Sequence, residues 1–205
     1  MFDAVFFDCD STLTLIEGID KVAQTPRVKR RIAKITNKAM NGKMDFETAI
    51  KKKRKILKPT SEQFEDVGQK YIQNSLPGAK ELIATLHKNG VETFIISGGF
   101  KEAILPFAKY LGIKPENIFA NELDKPKGLL SHTNGKATIV QNWNMQNPNK
   151  TTAFIGDGVT DLVTKPYVDR FIGFGGVHIR PKVKKEAEYF FENKNLLGLL
   201  PLLTP

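Results

Sequence analysis

Two aspartates two positions apart, Asp8 and Asp10, open the chemistry of this sequence. They follow a short apolar run, Ala4–Phe7, and residues at i and i+2 of an extended chain point the same way, so both carboxylates can face one site. Such a pair suits phosphoryl transfer. One carboxylate attacks phosphorus, and its neighbour donates a proton to the leaving oxygen and later activates water. A second acidic pair, Asp157 and Asp161, lies in Gly156-Asp157-Gly158-Val159-Thr160-Asp161, after the apolar run Thr152–Ile155. Its glycines permit a tight turn and close backbone approach. With Asp8, these carboxylates make a hard-oxygen cluster of the kind Mg²⁺ prefers. A divalent cation offsets the repulsion between an attacking carboxylate and a phosphate dianion. Ser97-Gly98-Gly99 offers a hydroxyl and backbone N–H groups to phosphate oxygens where a strand gives way to a helix. Lys136, after Asn134-Gly135, would bring an ammonium to the phosphoryl group. Taken singly, each feature is ordinary. Asp-x-Asp and Gly-Asp-Gly are common in turns, and a lone lysine usually faces solvent.

The elements that must position these groups are short. Ala4–Phe7, Thr93–Ile96, Ile118–Ala120, Thr152–Ile155 and Phe171–Phe174 have strand character, four of them rich in β-branched or aromatic residues. Helical stretches lie between them: a run from Ala79 stopped by Asn89-Gly90, Lys101–Leu111 with Pro106 expected to kink or shorten it, Lys136–Met145, and Pro181–Phe190. The alternation implies an α/β fold with a parallel sheet covered by helices on both faces. From Leu15 to Ser75 no strand is evident. Arg27–Met40, Phe46–Leu57 and Ser61–Gln73 read as three helices, the last capped by Thr60 or Ser61. Residues 15–75 are therefore expected to form a helical cap, and residues 1–14 with 76–205 the catalytic core.

With 205 residues and 40% hydrophobic content, the chain can build a sizeable core. No apolar run approaches the ~20 residues of a membrane span, and the start lacks signal-peptide character. Cys9 is the only cysteine, so an intrachain disulfide is excluded, and a cytoplasmic setting is expected. Cys9 itself reads as a small buried residue. The net charge of +9 is concentrated. Residues 15–60 hold fourteen lysines and arginines against four acids, a net of +10, and the remainder is −1. Such a surface draws in anions or simply solvates a helix face.

In this order, Asp8-Cys9-Asp10-Ser11-Thr12, Ser97-Gly98-Gly99, Lys136 and the Gly156–Asp161 motif resemble the haloacid dehalogenase (HAD) superfamily of phosphatases, over nearly the whole chain. The resemblance implies a Rossmann-like parallel-sheet core with an inserted helical-bundle cap. It implies Asp8 as nucleophile and Asp10 as general acid and base, with Thr12 shaping their loop. Ser97, Gly98, Gly99, Thr160 and Lys136 would surround the phosphoryl group. A Mg²⁺ site would use Asp8, the backbone carbonyl of Asp10, and Asp157, with Asp161 in support.

Three further segments are similar to phosphoserine phosphatases: Glu17-Gly18-Ile19-Asp20, Lys38–Lys43 with Asp45-Phe46-Glu47, and Phe171–Gly176. That likeness implies that Glu17 meets a substrate ammonium, although an acid there also suits a helix start. Met40 and Phe46 would line the pocket, and an arginine seven positions after Phe46 would receive a carboxylate. Here Lys53 stands at that position, with Arg54 next to it. A lysine is a point charge where arginine is a planar fork, and one helix position is a rotation of about 100°. The expected partner is a small phosphorylated metabolite, L-phosphoserine first, with another phosphate ester or transfer to an alcohol as the alternative. Nucleic acid is a third reading through the basic segment. It is disfavoured because Lys51–Lys55 circle a helix and no aromatic set offers base stacking.

Overall fold

A computed structural model describes residues 1–125 and 128–203; positions 126, 127, 204 and 205, all within the expected 76–205 core, lie outside the described residues. Strands β1 (Ala4–Phe7), β2 (Glu92–Phe100), β3 (Ile118–Asn121), β4 (Thr152–Gly156), β5 (Arg170–Phe174) and β6 (Tyr189–Phe191) form one sheet in the order β3-β2-β1-β4-β5-β6. Every pairing is parallel. β1 is buried on both faces, as its unbroken apolar sequence requires. Val5 and Phe7 join one core cluster, and Ala4 and Phe6 join the cluster on the opposite face.

The helices are α1 (Pro26–Met40), α2 (Phe46–Leu57), α3 (Ser61–Gln73), α4 (Ala79–Lys88), α5 (Lys101–Leu111), α6 (Gly135–Gln146), α7 (Val159–Leu162) and α8 (Pro181–Glu186). Local chemistry sets several of their starts. The Thr25 hydroxyl caps α1, the Asp45 carboxylate caps α2, and Thr60 with Gln63 forms a capping box on α3. The α1 and α2 helices share a separate apolar cluster containing Ile35, Ala39, Met40, Phe46, Ala49 and Ile50. α3 belongs instead to the main core through Phe64, Val67 and Tyr71.

Three local expectations are corrected. The segment read as a helix over Pro181–Phe190 ends at Glu186, because Ala187 turns extended and Tyr189–Phe191 adds an edge strand to β5. Pro106 lies inside an uninterrupted α5. It packs against Gly68 of α3, where an added Cβ would stand 3.0 Å from the proline ring. β2 does not stop at Ile96 but runs through Ser97-Gly98-Gly99 to Phe100, with a register shift between Ile96 and Phe100.

Candidate active site

The strand order reverses between β1 and β4, and open α/β sheets bind ligands at that crevice, beyond the carboxyl ends of the strands. Asp8 follows β1, Asp157 follows β4, and the Asp8 amide donates to the Ile155 carbonyl at 2.9 Å. Asp8, Asp157 and Asp161 are all buried and each offers an oxygen, the three lying within 4.8 Å of one another. The Asp161 carboxylate is held from both sides, by the Gly158 amide at 2.8 Å and by Lys136 Nζ at 2.6 Å. Lys136 also reaches Asp8 Oδ1 at 2.7 Å. Burial works to lower the Lys136 pKa, but Asp161 and Asp8 outweigh it and raise it, so the lysine stays charged. Burial and then the Asp8 charge push Asp161 up to about 7, against the pull of Lys136. Burial also holds Asp157 well above the usual carboxylate range, with the Arg180 charge opposing.

Asp10 points to different partners. Its Oδ1 accepts from the Gly18 amide at 2.8 Å and from the Tyr71 hydroxyl at 2.5 Å. Burial and then the charge of Glu17 push Asp10 up to about 8, against those two hydrogen bonds. Oδ2 lies beside Gly99, where an added Cβ would stand 3.2 Å from it and 3.2 Å from Ser97 Oγ. Glycine at 18 is equally necessary, since a Cβ there would fall 1.8 Å from the Tyr71 oxygen. Ser11 adopts positive φ and its hydroxyl donates to Glu17 Oε1 at 2.9 Å. That contact brings the acid at 17 back to the loop that carries Asp8 and Asp10.

The helical segment meets the core at two glycines. A Cβ on Gly98 would stand 2.4 Å from the Phe46 ring, and one on Gly158 would stand 3.0 Å from Met40 Sδ. Phe46 and Thr160 also line a cavity of about 250 Å³ with Met44, Val159 and Lys182. Lys53 and Arg54 part company, as their offset around α2 requires. Lys53 is buried, with Nζ 3.6 Å from Asp20 Oδ1. Arg54 donates to the Leu123 carbonyl and lies over the Phe100 ring.

Sequence reasoning missed three residues. Arg180 is buried with Nε 2.9 Å from Asp157 Oδ2 and Nη2 3.8 Å from Glu17 Oε1. Its only local signal is its place just before a helix-starting proline, four positions beyond the glycine pair at 175 and 176. Tyr71 sits on the buried stripe of α3, and a tyrosine in a core needs a polar partner for its hydroxyl. Asn121 donates to the Gly98 carbonyl at 2.9 Å and to the Leu130 carbonyl at 3.2 Å, holding the Ser97–Gly99 stretch in place.

The donor set fits a hard divalent cation. Asp8, Asp157 and Asp161 are buried together, and Lys136 and Arg180 offset only part of the negative charge that three carboxylates can carry. A family model described as haloacid dehalogenase-like hydrolase matches residues 2–164. The phosphoserine phosphatase of Bos taurus is 33% identical over 210 residues, covering 97% of this chain and 93% of that protein. The chloroplastic phosphoserine phosphatase of Arabidopsis thaliana is 36% identical over 214 residues, covering 97% and 72%. Among solved structures, a phospho-aspartyl intermediate analogue of phosphoserine phosphatase superposes with a TM-score of 0.87 at 28% identity, covering 99% of each chain. A substrate-bound phosphoserine phosphatase complex gives a TM-score of 0.87 at 27% identity, covering 100% of this chain and 99% of the other.

Proposed function

This chain belongs to the haloacid dehalogenase-like hydrolases, and we propose that it is a Mg²⁺-dependent phosphoserine phosphatase that converts L-phosphoserine to L-serine and phosphate through a phosphoryl group carried on Asp8. The observation that carries the reading is the pairing of two unlike carboxylates at the end of β1. Asp8 has Oδ1 engaged by Lys136 and by the Cys9 amide, and Oδ2 without a hydrogen bond among the described residues. Asp10 holds its proton near neutral pH, and its Oδ2 lies beside Gly99 and Ser97. One acid is thus suited to attack and the other to donate a proton.

In the first step Asp8 Oδ2 attacks phosphorus as the phosphorus–oxygen bond of the ester breaks. Asp10 gives its proton to the departing serine oxygen. In the second, the Asp10 carboxylate takes a proton from water, whose oxygen attacks the phosphorus on Asp8 and releases phosphate. Lys136, the Ser97 hydroxyl and backbone N–H groups around Gly98 and Gly99 hold the phosphoryl oxygens. Asp8, Asp157 and the Asp10 carbonyl, with Asp161 in support, would hold Mg²⁺, which when bound would supply positive charge against the phosphoryl oxygens.

Residues 15–75 act as the cap over a core of residues 1–14 and 76–205; the separate apolar cluster of α1 and α2 supports this for those two helices, while α3 packs into the main core. Met40 and Phe46 exclude water from the ester. Glu17 receives the substrate ammonium, and Lys53 and Arg180 supply positive potential around it. A cytoplasmic setting belongs to the same reading, consistent with the single free, buried cysteine. The lysine at position 53 favours one alternative, the same chemistry on another small phosphate ester. Phosphate release with Mg²⁺ from L-phosphoserine and a panel of small esters tests the choice. Preference for L-phosphoserine is expected, and strong turnover of other esters with little of it would overturn the substrate.

A further inference from the structure

From Pro26 to Lys43 the chain carries seven lysines and arginines and no acid. At about 100° per residue, Arg27, Arg30, Arg31, Lys34 and Lys38 of α1 fall within an arc of about 100°. All five are exposed, while Ile32, Ile35, Ala39 and Met40 turn the other side of the helix into the protein. None of the five has an ion-pair partner among the described residues. They repel one another instead. Arg27 and Arg31, Arg30 and Lys34, and Lys34 and Lys38 are like charges four positions apart, a destabilising spacing on a helix. The first turn of α1 holds Arg27 and no acid, against the sense of the helix dipole. An anion from outside the chain relieves each of these costs.

We infer that this stripe is a docking surface for the phosphate backbone of a nucleic-acid duplex, held without regard to base sequence. The spacing of the charges fits that partner. From Arg27 to Lys38 the helix rises about 16 Å at about 1.5 Å per residue. One strand of a duplex places a phosphate about every 3.4 Å along its axis, so about five lie over that length, one for each cation. Arg30, Lys34 and Lys38 line a groove together with Asn37 and Lys43, which carries the positive surface past the end of α1 onto the following turn. The helix has no aromatic residue, so it offers no ring to unstacked bases, which favours a duplex over a single strand. A lipid surface is the poorer occupant. Ile35, Ala39 and Met40 are committed to the cluster shared with α2, and no apolar side of α1 is left to enter a bilayer.

The test is a fluorescence-anisotropy titration of a labelled DNA duplex of about 20 base pairs with the full chain, between about 50 and 200 mM salt. It does not involve the ester, so its outcome is separate from the phosphatase reading. Binding is expected with a log–log salt slope of about −4.5, from about 0.9 per neutralised phosphate, and within about 3-fold for duplexes of unrelated sequence. The triple variant Arg30→Gln, Lys34→Gln and Lys38→Gln keeps good helix formers at exposed positions. It is expected to bind at least about 10-fold more weakly at about 50 mM salt, with a slope shallower by about 3. A second triple, Lys88→Gln, Lys109→Gln and Lys114→Gln, removes the same charge from exposed positions of the core and is expected to cost under about 3-fold. An equal loss in the two triples would reduce the effect to net charge and overturn the inference, as would no binding at about 50 mM salt. Tighter binding to polyglutamate or to vesicles of anionic lipid than to the duplex, at equal salt, would assign the stripe to another partner and overturn it as well.

Discussion

Asp8 and Asp10 are two residues apart, yet their surroundings set them to different tasks. Asp8 lies against Lys136, and Asp10 lies against Tyr71 and Gly18 with a raised pKa. Asp8→Asn is expected to abolish turnover, because the amide is no nucleophile toward phosphorus, while circular dichroism shows an unchanged fold. Retained turnover would remove Asp8 from its role. Gly18→Ala should be nearly as informative. Its Cβ would fall 1.8 Å from the Tyr71 oxygen, so the hydroxyl must leave Asp10. A loss of at least about 10-fold in kcat is expected, with about 1–3 kcal/mol of destabilisation by thermal melting. The groups that sequence motifs carry were legible before the structure: Asp8, Asp157, Asp161 and Lys136 do meet. Tyr71 and Arg180 were not, since a tyrosine on a helical apolar stripe reads as core, and an arginine before a proline has no pattern of its own. Their roles arise from partners 61 and 23 positions away in the chain.

At the level of elements, the helices of residues 26–73 were read almost to the residue because their caps are local, with Asp45 bonding Thr48 and Thr60 pairing with Gln63. β6 was missed because Tyr189-Phe190-Phe191 follows a helical pattern without a break, and only pairing with β5 makes it a strand. Pro106 misled for a related reason: propensity yields to tertiary packing, here against Gly68 of α3. Gly68→Leu should pry α3 from α5 and lower stability by about 1–3 kcal/mol in a denaturant titration. An unchanged midpoint would contradict that contact. The starts of β1 and β4 are tied by Asp3, whose Oδ2 accepts from the Thr151 amide and hydroxyl, each at 2.8 Å. These bonds, the amide first, lower the Asp3 pKa below its ordinary 3.8. The unfolded chain then binds more protons as the medium acidifies, so the contribution is full above about pH 4 and is lost as pH falls through the folded-state value. Asp3→Asn should flatten that acid limb of the stability profile.

Across the whole molecule, one topological fact assembles the site: β1 and β4 are neighbours at the reversal of strand order, so motifs far apart in sequence end side by side. The α/β class was legible from alternating patterns; the order of the strands was not, since periodicity does not say which strands pair. Charge is organised on the same scale. Arg30, Lys34, Lys38 and Lys43 line one groove on α1 and the turn after it, and Gly42 of that turn lines the cavity shared with Phe46 and Thr160. Exchanging Arg30, Lys34 and Lys38 for glutamate should lower kcat/KM for a dianionic ester several-fold at low salt, with the difference vanishing near 1 M salt as screening sets in. A salt-independent difference would contradict steering.

The most direct measurement is acid-quenched trapping of the phosphoryl group from labelled L-phosphoserine with Mg²⁺ present, followed by mapping of the labelled position. The account predicts an acyl phosphate on Asp8 that forms as serine is released, decays to phosphate, and is absent from Asp8→Asn. Serine release with no phosphoryl-enzyme, or a label on any other residue, would contradict it.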